Sequence, residues 1–325
     1  MRRLLREHPD LHVVNIDLLT YAGRPENVAD VADDPRYTFV HGDISNADDV
    51  ARAADGVDGI INVAAESHVD RSIMGGDEFI TTNVLGTKRL LDHARAHELR
   101  YLQVSTDEVY GDVDAPHRSV EGDPLHGSSP YAASKAAGDL MVMAYARTYG
   151  LNASITRGSN TYGPYQFPEK LIPLMLVRAM TGDSLPVYGK GDNVRDWLHV
   201  EDHAGALLAL LQRGRPGEKY NVGGGNERRN LDVVQVLCGV LDELAPDPQG
   251  PHARRIAFVA DRPGHDLRYS IDTTKIRREL GWAPRQAFEL GLRATVAWYL
   301  ANRAWWEPVL RQKYDGRRLG LGVAG

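Results

Sequence analysis

The first half of the chain alternates short apolar segments with longer helical ones, and this alternation limits the possible folds more than any other feature. The pattern predicts strands at residues 11–16, 37–40, 59–65, 100–105 and 153–157, and helices at residues 2–8, 48–54, 78–97 and 131–149. Strands separated by helices pair in parallel through right-handed crossover connections. The sequence therefore predicts an α/β fold built on a doubly wound, parallel Rossmann-type sheet.

The composition argues against several classes of protein. The chain has 325 residues and a formal net charge of −6, so a general nucleic-acid surface is not expected. No apolar run reaches the roughly 20 residues that a membrane-spanning helix needs, and the charged N-terminus does not resemble a signal peptide. Cys238 is the only cysteine, and no spacing of His, Asp and Glu indicates a metal site. These features suit a cytoplasmic protein without a membrane or nucleic-acid partner.

Two polar clusters follow one another in the middle of the chain. Thr106, Asp107 and Glu108 come directly after the strand predicted at 100–105, at the strand end where open α/β sheets bind ligands. Ser128, Ser129 and Pro130 give a start signal for the next helix. Tyr131 and Lys135 lie one turn apart on the same face of that helix, and an ammonium beside a phenol should lower the pKa of the phenol.

Each cluster has a chemical use and a plain alternative. A phenol with a lowered pKa can take a proton from a substrate hydroxyl, and two neighbouring carboxyl groups with different pKa values can act as acid and base in an elimination. The alternatives are a solvated Asp-Glu turn and a Tyr–Lys spacing that arose by chance. Because the clusters occur together around a buried strand, the sequence favours an active site.

Asp17 ends the first predicted strand. Dinucleotide-binding folds place an acid near this position to accept hydrogen bonds from the adenosine ribose, and a carboxylate there favours NAD over NADP. No turn of the G-x-x-G-x-x-G type precedes residue 11, and the run Gly223-Gly224-Gly225 comes too late to replace it. We therefore expect the working protein to carry about two dozen further upstream residues that supply a strand, this turn and a helix start.

Further motifs are spread over nearly the whole chain. They are Asp17-Leu18-Leu19-Thr20-Tyr21-Ala22-Gly23, His41-Gly42-Asp43-Ile44, Ala64-Ala65-Glu66-Ser67-His68-Val69-Asp70-Arg71-Ser72, Asn160-Thr161-Tyr162-Gly163-Pro164-Tyr165, Pro168-Glu169-Lys170-Leu171-Ile172-Pro173, Asn193-Val194-Arg195-Asp196-Trp197 and Arg262-Pro263-Gly264-His265-Asp266. Together with the two clusters, they resemble the extended short-chain dehydrogenase/reductases and, within them, the dTDP-glucose 4,6-dehydratase family. Tyr-x-x-x-Lys is typical of the whole superfamily, whereas Thr-Asp-Glu is specific to the dehydratases.

The resemblance implies a reaction and a role for each residue of the two clusters. Tyr131, held by Lys135, takes the proton of the hydroxyl on sugar carbon 4 while a hydride passes to NAD, and Thr106 hydrogen-bonds the same oxygen. Glu108 then removes the proton on carbon 5, and protonated Asp107 donates to the hydroxyl that leaves carbon 6. Return of the hydride to carbon 6 gives dTDP-4-keto-6-deoxyglucose.

The resemblance also implies two sets of binding residues. For NAD they are Asp17, Leu18, Thr20, Asp43, Ile44, Ala64, Ala65, Ser67, Thr82, Tyr131 and Lys135. For the sugar nucleotide they are Ser67, Arg71, Thr106, Asn160, Glu169, Lys170, Leu171, Pro186, Tyr188, Arg195, Asn230, Arg262, His265 and Asp266. Lys170 and Arg195 are the expected contacts of the diphosphate, because cations near a buried dianion interact strongly.

The domain organisation and the assembly follow from the same resemblance. Residues 1–160 should form the NAD-binding domain and residues 161–325 mainly a smaller substrate-binding domain, with the chain crossing back in part between 190 and 225. A homodimer is expected through the helices at 78–97 and 131–149. The apolar residues expected to support this interface are Leu90, Leu91, Leu140, Met141 and Met143.

Two alternative functions remain open at this point. A UDP-sugar 4-epimerase or decarboxylase of the same fold would keep Tyr131 and Lys135 but has no use for Asp107 and Glu108 as an acid–base pair. A non-catalytic sugar-nucleotide-binding subunit is the second alternative, suggested by the missing Gly-rich turn. Release of NAD from the denatured protein would argue against the second.

Overall fold

Strands and helices alternate in the computed structural model, which describes residues 1–312. The strands are β1 (Val13–Asp17), β2 (Tyr37–His41), β3 (Gly59–Asn62), β4 (Arg100–Thr106), β5 (Ala153–Gly158), β6 (Asn160–Tyr162), β7 (Leu185–Tyr188), β8 (Val194–His199), β9 (Lys219–Val222), β10 (Glu227–Arg229) and β11 (Ile256–Val259). The helices are α1 (Arg2–Glu7), α2 (Ala47–Ala53), α3 (Val69–Met74), α4 (Asp77–Ile80), α5 (Thr87–Ala96), α6 (Pro130–Tyr149), α7 (Leu171–Thr181), α8 (Val200–Arg213), α9 (Asn230–Leu244), α10 (Thr274–Leu280), α11 (Phe288–Ala301) and α12 (Arg303–Gln312).

Parallel sheets organise the first half of the molecule and confirm the predicted α/β fold. β1 and β2 pair in parallel, and β3, β4, β5 and β9 form a four-stranded parallel sheet in that order. All six residues of β5 are buried, as expected for a parallel strand covered on both faces. The carboxyl ends of β3, β4 and β5 therefore lie at one edge of the sheet, and the Thr106 cluster begins there.

The prediction of one continuous helix at 78–97 is wrong. α4 passes through a π-helical turn at Thr81–Gly86 before α5 begins. The turn places Asn83 against the loop after β3: its side-chain oxygen accepts the Glu66 N–H at 3.0 Å, and its amide donates to the Glu66 carbonyl at 2.9 Å. A π turn inside a helix often marks a functional site.

The strand predicted at 59–65 is too long, because β3 ends at Asn62. The backbone N–H and carbonyl of Glu66 bond to the Asn83 side chain instead of to a neighbouring strand. The polar backbone groups of Glu66 are therefore satisfied outside a sheet. The residues after β3 are therefore a loop at the carboxyl edge of the sheet.

The second half of the chain supplies its own core. β10, β8 and β6 form one small sheet and β11 pairs in parallel with β7. The largest apolar cluster lies between α7, α9 and α11 and includes Met175, Leu237 and Val296. None of the helices within residues 1–312 combines the length and apolarity needed to span a membrane, and these residues contain no group of acids, histidines or cysteines suited to a metal.

Candidate active site

Thr106 ends β4, and its side chain organises the turn that follows. Its hydroxyl accepts the Glu108 N–H at 3.2 Å and donates to an oxygen of Asp107 at 3.3 Å. This side-chain cap begins a short 3-10 turn over Asp107–Tyr110. The cap therefore holds two carboxyl groups next to each other at the carboxyl end of a central strand.

The two carboxyl groups differ in their surroundings. Asp107 is 2% exposed, and its second oxygen has no hydrogen-bond partner within the described residues. Burial, followed by the charges of Glu108 and Asp196, raises the pKa of Asp107 well above its usual range. The raised pKa favours the protonated form of Asp107, which can donate a proton. Half-buried Glu108 has one buried oxygen without a hydrogen-bond partner among residues 1–312.

Tyr131 and Lys135 lie in the first half of α6, whose start is capped as the sequence predicts. The Ser129 hydroxyl accepts the Ala132 N–H at 3.1 Å, and Pro130 occupies the first helical position. The Lys135 ammonium donates to the carbonyl of Val104 in β4 at 2.7 Å. This contact fixes α6 against the strand that ends in the Thr106 cluster.

The expected lowering of the Tyr131 pKa is wrong for this structure. Burial and the charge of Glu108 raise the pKa of Tyr131, and a hydrogen bond with Thr106 opposes the rise. Burial also lowers the pKa of Lys135 to about 8. The two residues keep the predicted spacing of one turn on α6, but the sequence did not show that both are buried, or that Tyr131 lies beside Glu108 and Asp107.

Several predicted substrate residues meet where the loop after β3 contacts the segment before α7. The Lys170 ammonium donates to the Ser67 carbonyl at 2.6 Å, and Arg71 lies 3.5 Å from a carboxylate oxygen of Glu169. Burial lowers the pKa of Lys170. A cavity of about 240 Å³ opens beside these residues, and its lining also includes Thr20 and Ala65.

Asp70 contacts two more of the predicted substrate residues, Tyr188 and Arg262. It accepts the Tyr188 hydroxyl at 3.0 Å and an Arg262 N–H at 3.1 Å. His265 lies with its ring against Tyr188, 6.1 Å between centroids. Sequence reasoning assigned no role to Asp70, although the residue lies within one of the quoted motifs.

Arg195 is buried, and its described hydrogen bonds go to backbone carbonyls. It donates to Asp266 at 2.9 Å and to Val194 at 2.7 Å, and its guanidinium lies 4.1 Å from the centroid of the Tyr269 ring. Its charge acts on Asp107, whose pKa it lowers in opposition to burial. The structure thus places this predicted phosphate ligand close to the acid–base pair.

The structure places the remaining predicted substrate residues at other positions in the fold. Pro186 lies in β7, Leu171 begins α7 and Asn160 begins β6. The side-chain oxygen of Asn230, the first residue of α9, is buried without a hydrogen-bond partner in the part of the chain that the structure describes. Such an oxygen can accept a hydrogen bond from a ligand.

The residues predicted for NAD lie at the carboxyl edges of the parallel strands. Asp17 ends β1 and accepts the Leu19 N–H at 2.8 Å, with its side chain facing solvent. Asp43 follows β2 and accepts the Ser45 N–H at 2.7 Å. The set further contains exposed Leu18, Thr20 in the cavity wall, buried Ile44, half-buried Ala64, Ala65 and Ser67, and Thr82 in the π turn.

This set of residues suits a dinucleotide. A solvent-facing carboxylate after β1 can accept the hydroxyls of a ribose, and Asp43 with buried Ile44 follows the neighbouring strand. Ile44 packs so closely on the π turn that a Cβ at Gly86 would lie 2.6 Å from it. Asn83 and Tyr21 belong to the same region and were missed. Tyr21 lies in a quoted motif and donates to Glu169 at 2.9 Å.

Comparison with known proteins gives one consistent result. A family model described as GDP-mannose 4,6 dehydratase matches residues 1–295. The chain is 51% identical to a dTDP-glucose 4,6-dehydratase of Neisseria meningitidis serogroup B, over 99% of this chain and 95% of that protein.

Solved structures agree with the sequence matches. The dTDP-glucose 4,6-dehydratase DesIV of Streptomyces venezuelae, solved with NAD bound, superposes with a TM-score of 0.89 at 50% identity, covering 95% of this chain and 94% of that one. A dTDP-glucose 4,6-dehydratase of Bacillus anthracis in complex with NAD gives a TM-score of 0.86 at 42% identity over the same shares.

Proposed function

Because the chain belongs to the GDP-mannose 4,6-dehydratase family, we propose that the site described above converts dTDP-glucose to dTDP-4-keto-6-deoxyglucose with NAD. Curated dTDP-glucose 4,6-dehydratases that match nearly its whole length support this reaction. The observation that carries the proposal is the buried Asp107, whose pKa burial raises, beside Glu108 and Tyr131. An epimerase or decarboxylase has no use for this acid–base pair.

The first step is the oxidation of carbon 4. NAD, when bound, supplies the hydride acceptor and later the hydride donor of the reaction. Tyr131, in its phenolate form, takes the proton of the carbon 4 hydroxyl, and Thr106, which is hydrogen-bonded to Tyr131, interacts with the same oxygen. Lys135 stabilises the phenolate through its charge, because an opposite charge nearby favours the ionised form.

The elimination uses the two carboxyl groups. A ketone at carbon 4 makes the proton on carbon 5 acidic, and Glu108 removes it. Asp107 gives its proton to the hydroxyl on carbon 6, which leaves as water. This step requires one carboxyl group that donates a proton and a neighbouring one that accepts a proton.

Lys170, Arg71 and Arg262 are the proposed contacts of the diphosphate. Lys170 lines the cavity, Arg71 lies beside Glu169 in the cavity wall, and Arg262 donates to Asp70. Burial lowers the pKa of Lys170. A bound dianion would compensate the cost of burying these cations. Arg195, the other contact expected for the diphosphate, also acts through its charge on Asp107.

Analysis of the product tests this function. Incubation of the protein with NAD and dTDP-glucose should give a nucleotide sugar that has lost one water, detected by mass spectrometry. A product of unchanged mass that contains dTDP-galactose would instead identify an epimerase. Substrate that stays unaltered, together with no NAD released on denaturation, would support the non-catalytic subunit.

We expect kcat to fall above about pH 8. Lys135, whose pKa burial lowers to about 8, is charged below that pH and neutral above it. The neutral amine no longer stabilises the Tyr131 phenolate, so proton transfer slows as the pH rises. A kcat profile from about pH 6 to about pH 10 checks this, and a steady rise over the whole range would contradict it.

The domain division and the cellular location are also proposed. Residues 1–160 with β9 form the NAD-binding domain, since β9 completes the sheet of β3, β4 and β5. Residues from 161 onward otherwise form the substrate domain, of which 313–325 lie outside the described residues. The one cysteine, Cys238, is a free buried thiol, which fits a reducing, cytoplasmic environment.

A homodimer through α6 and the α4–α5 segment is the proposed assembly. Leu140 of α6 is 62% exposed, and Ile80 and Leu85 of the facing segment are also exposed. Leu90 and Leu91, by contrast, are buried in the protomer core, so the expectation that they support the interface is wrong. Met141 and Met143 pack partly against that same core.

Substitution of Leu140 tests the dimer. Leu140→Glu should weaken the dimer at least tenfold, because it places a charge in an apolar C2 contact. Leu290→Glu is the matched control, since Leu290 is 63% exposed on α11. Sedimentation measures both, and a wild-type protein that is monomeric at micromolar concentration would contradict the proposal.

A further inference from the structure

Asp139 is a third polar residue on the buried face of α6. It follows Tyr131 and Lys135 at intervals of four residues, so the three side chains lie on one face of the helix. The Asp139 carboxylate accepts the Nε–H of Arg157 at 2.9 Å, and the two side chains are 1% and 3% exposed. The reaction steps described above make no use of this buried ion pair.

Arg157 is held in place from the turn after β4 and from β9. Its Nη1 donates to the Tyr110 hydroxyl at 3.0 Å, and that hydroxyl donates to the side-chain oxygen of Asn221 in β9 at 2.7 Å. A guanidinium stays charged at any pH of interest. Arg157 is therefore a fixed positive charge behind Asp139, and it favours the ionised form of that carboxyl although burial raises its pKa.

Lys135 needs a counter-charge that its hydrogen bond does not supply. Its described hydrogen-bond partner is the Val104 carbonyl, and burial disfavours the ammonium form. Asp139 acts in the opposite direction and favours the charged form of Lys135. A nearby opposite charge is the ordinary way in which a protein keeps a buried ammonium protonated.

The surroundings of this face hold other charged groups. Tyr131 lies on α6 itself. Asp107, Glu108 and Tyr110 follow β4, Arg157 comes from β5 and Lys219 comes from β9. The loop and the helix beside α6 contribute Glu66, Asp70 and Arg71. Residues Thr81–Gly86 of the packed π turn include no titratable side chain. Among the charged groups of this region, Asp139 is the one whose charge raises the pKa of Lys135 against burial.

We propose that Asp139 is a positioning residue that keeps Lys135 protonated beside Tyr131, and that Arg157 keeps Asp139 ionised. The order of the groups is then the Arg157 guanidinium, the Asp139 carboxylate and, at successive turns of α6, the Lys135 ammonium and the Tyr131 phenol. This inference rests on the proposed roles of Tyr131 and Lys135. The simpler function of the ion pair, a tie between α6 and β5, predicts no effect on the titration of Lys135.

Titration of Lys135 by NMR tests the proposal directly. The protein, labelled with ¹³C at the ε carbon of lysine, contains seven lysines, and Lys135→Met assigns the signal. The wild-type midpoint should lie near pH 8, and Asp139→Asn should lower it by about one unit or more. A midpoint that moves by less than about 0.2 units would overturn the proposal.

Activity gives the second readout. In Asp139→Asn the alkaline fall of kcat should move to lower pH by the same amount, with the KM for dTDP-glucose unchanged. Arg157→Lys keeps the positive charge and should retain the wild-type midpoint. Asp202→Asn removes a buried helical carboxylate that accepts the N–H groups of Arg285 and Gln286, and as the matched control it should move neither curve.

A double variant covers the case in which Asp139→Asn does not fold. Asp139→Asn with Arg157→Gln removes both charges and leaves no unpaired guanidinium, which is the less disruptive change. The Lys135 midpoint should still fall, and an unchanged midpoint in this variant would equally overturn the proposal. Because the titration needs no turnover, its outcome is independent of the dehydratase activity, which the wild-type product assay tests alone.

Discussion

Replacement of Tyr131 by Phe should reduce kcat by about 10³-fold, within the range lost when a positioned acid–base group is removed. The phenol oxygen is the only part of the side chain that the proton transfer uses, and the ring contact with Phe79, 6.3 Å between centroids, should persist. Binding of dTDP-glucose should change little. Because oxidation is the first step, no absorbance of reduced cofactor should appear on mixing the variant with substrate.

The matched control is Tyr145→Phe. Tyr145 lies on the same helix, and its hydroxyl donates to Asp92 at 2.6 Å, away from the reactive cluster. This variant also loses one phenolic hydroxyl from α6 but should keep its kcat within about twofold. If Tyr131→Phe formed reduced cofactor as fast as the control, Tyr131 would not be the base of the oxidation.

Asp107→Asn and Glu108→Gln should each slow product formation by about 10²-fold or more while sparing substrate binding. Both variants keep Tyr131 and Lys135, so oxidation at carbon 4 should proceed and the absorbance of reduced cofactor should accumulate. This signal separates them from Tyr131→Phe, which should give none. Normal product formation by both would refute the acid–base assignment.

Solvent exchange distinguishes the roles of the two carboxyl groups. In heavy water, Asp107→Asn retains the base and should exchange the carbon 5 proton of bound substrate without losing the hydroxyl. Glu108→Gln lacks the base and should not exchange that proton. Asp112→Asn is the nearby control, since Asp112 accepts the N–H groups of Val113 and Arg268 outside the pair.

Local sequence patterns predicted the scaffold of the site well. The cap at Ser129 and the apolar strand before Thr106 were both visible in the sequence, and the structure has α6 and β4 at these places. Short-range periodicity shows which faces are buried, and it therefore identified the strands and helices. Their alternation then predicted parallel pairing.

Tertiary surroundings were not predictable in the same way. The pKa of Tyr131 is raised rather than lowered because tertiary packing buries the phenol and places it beside Glu108, which comes from a separate element. The π turn at Thr81–Gly86 depends on the loop that Asn83 binds. Asp139 could be seen one turn after Lys135, but its partner Arg157 comes from a different strand.

Isotope transfer in a single turnover is the most direct test of the central claim, that one site oxidises, eliminates and reduces the same sugar. The substrate is dTDP-glucose with deuterium at carbon 4, in ordinary water, and the product is analysed by NMR. The proposed reaction places this deuterium on carbon 6 of a 4-keto-6-deoxy sugar and a solvent proton on carbon 5. Deuterium that stays on carbon 4, or a product that keeps its carbon 6 hydroxyl, would contradict it.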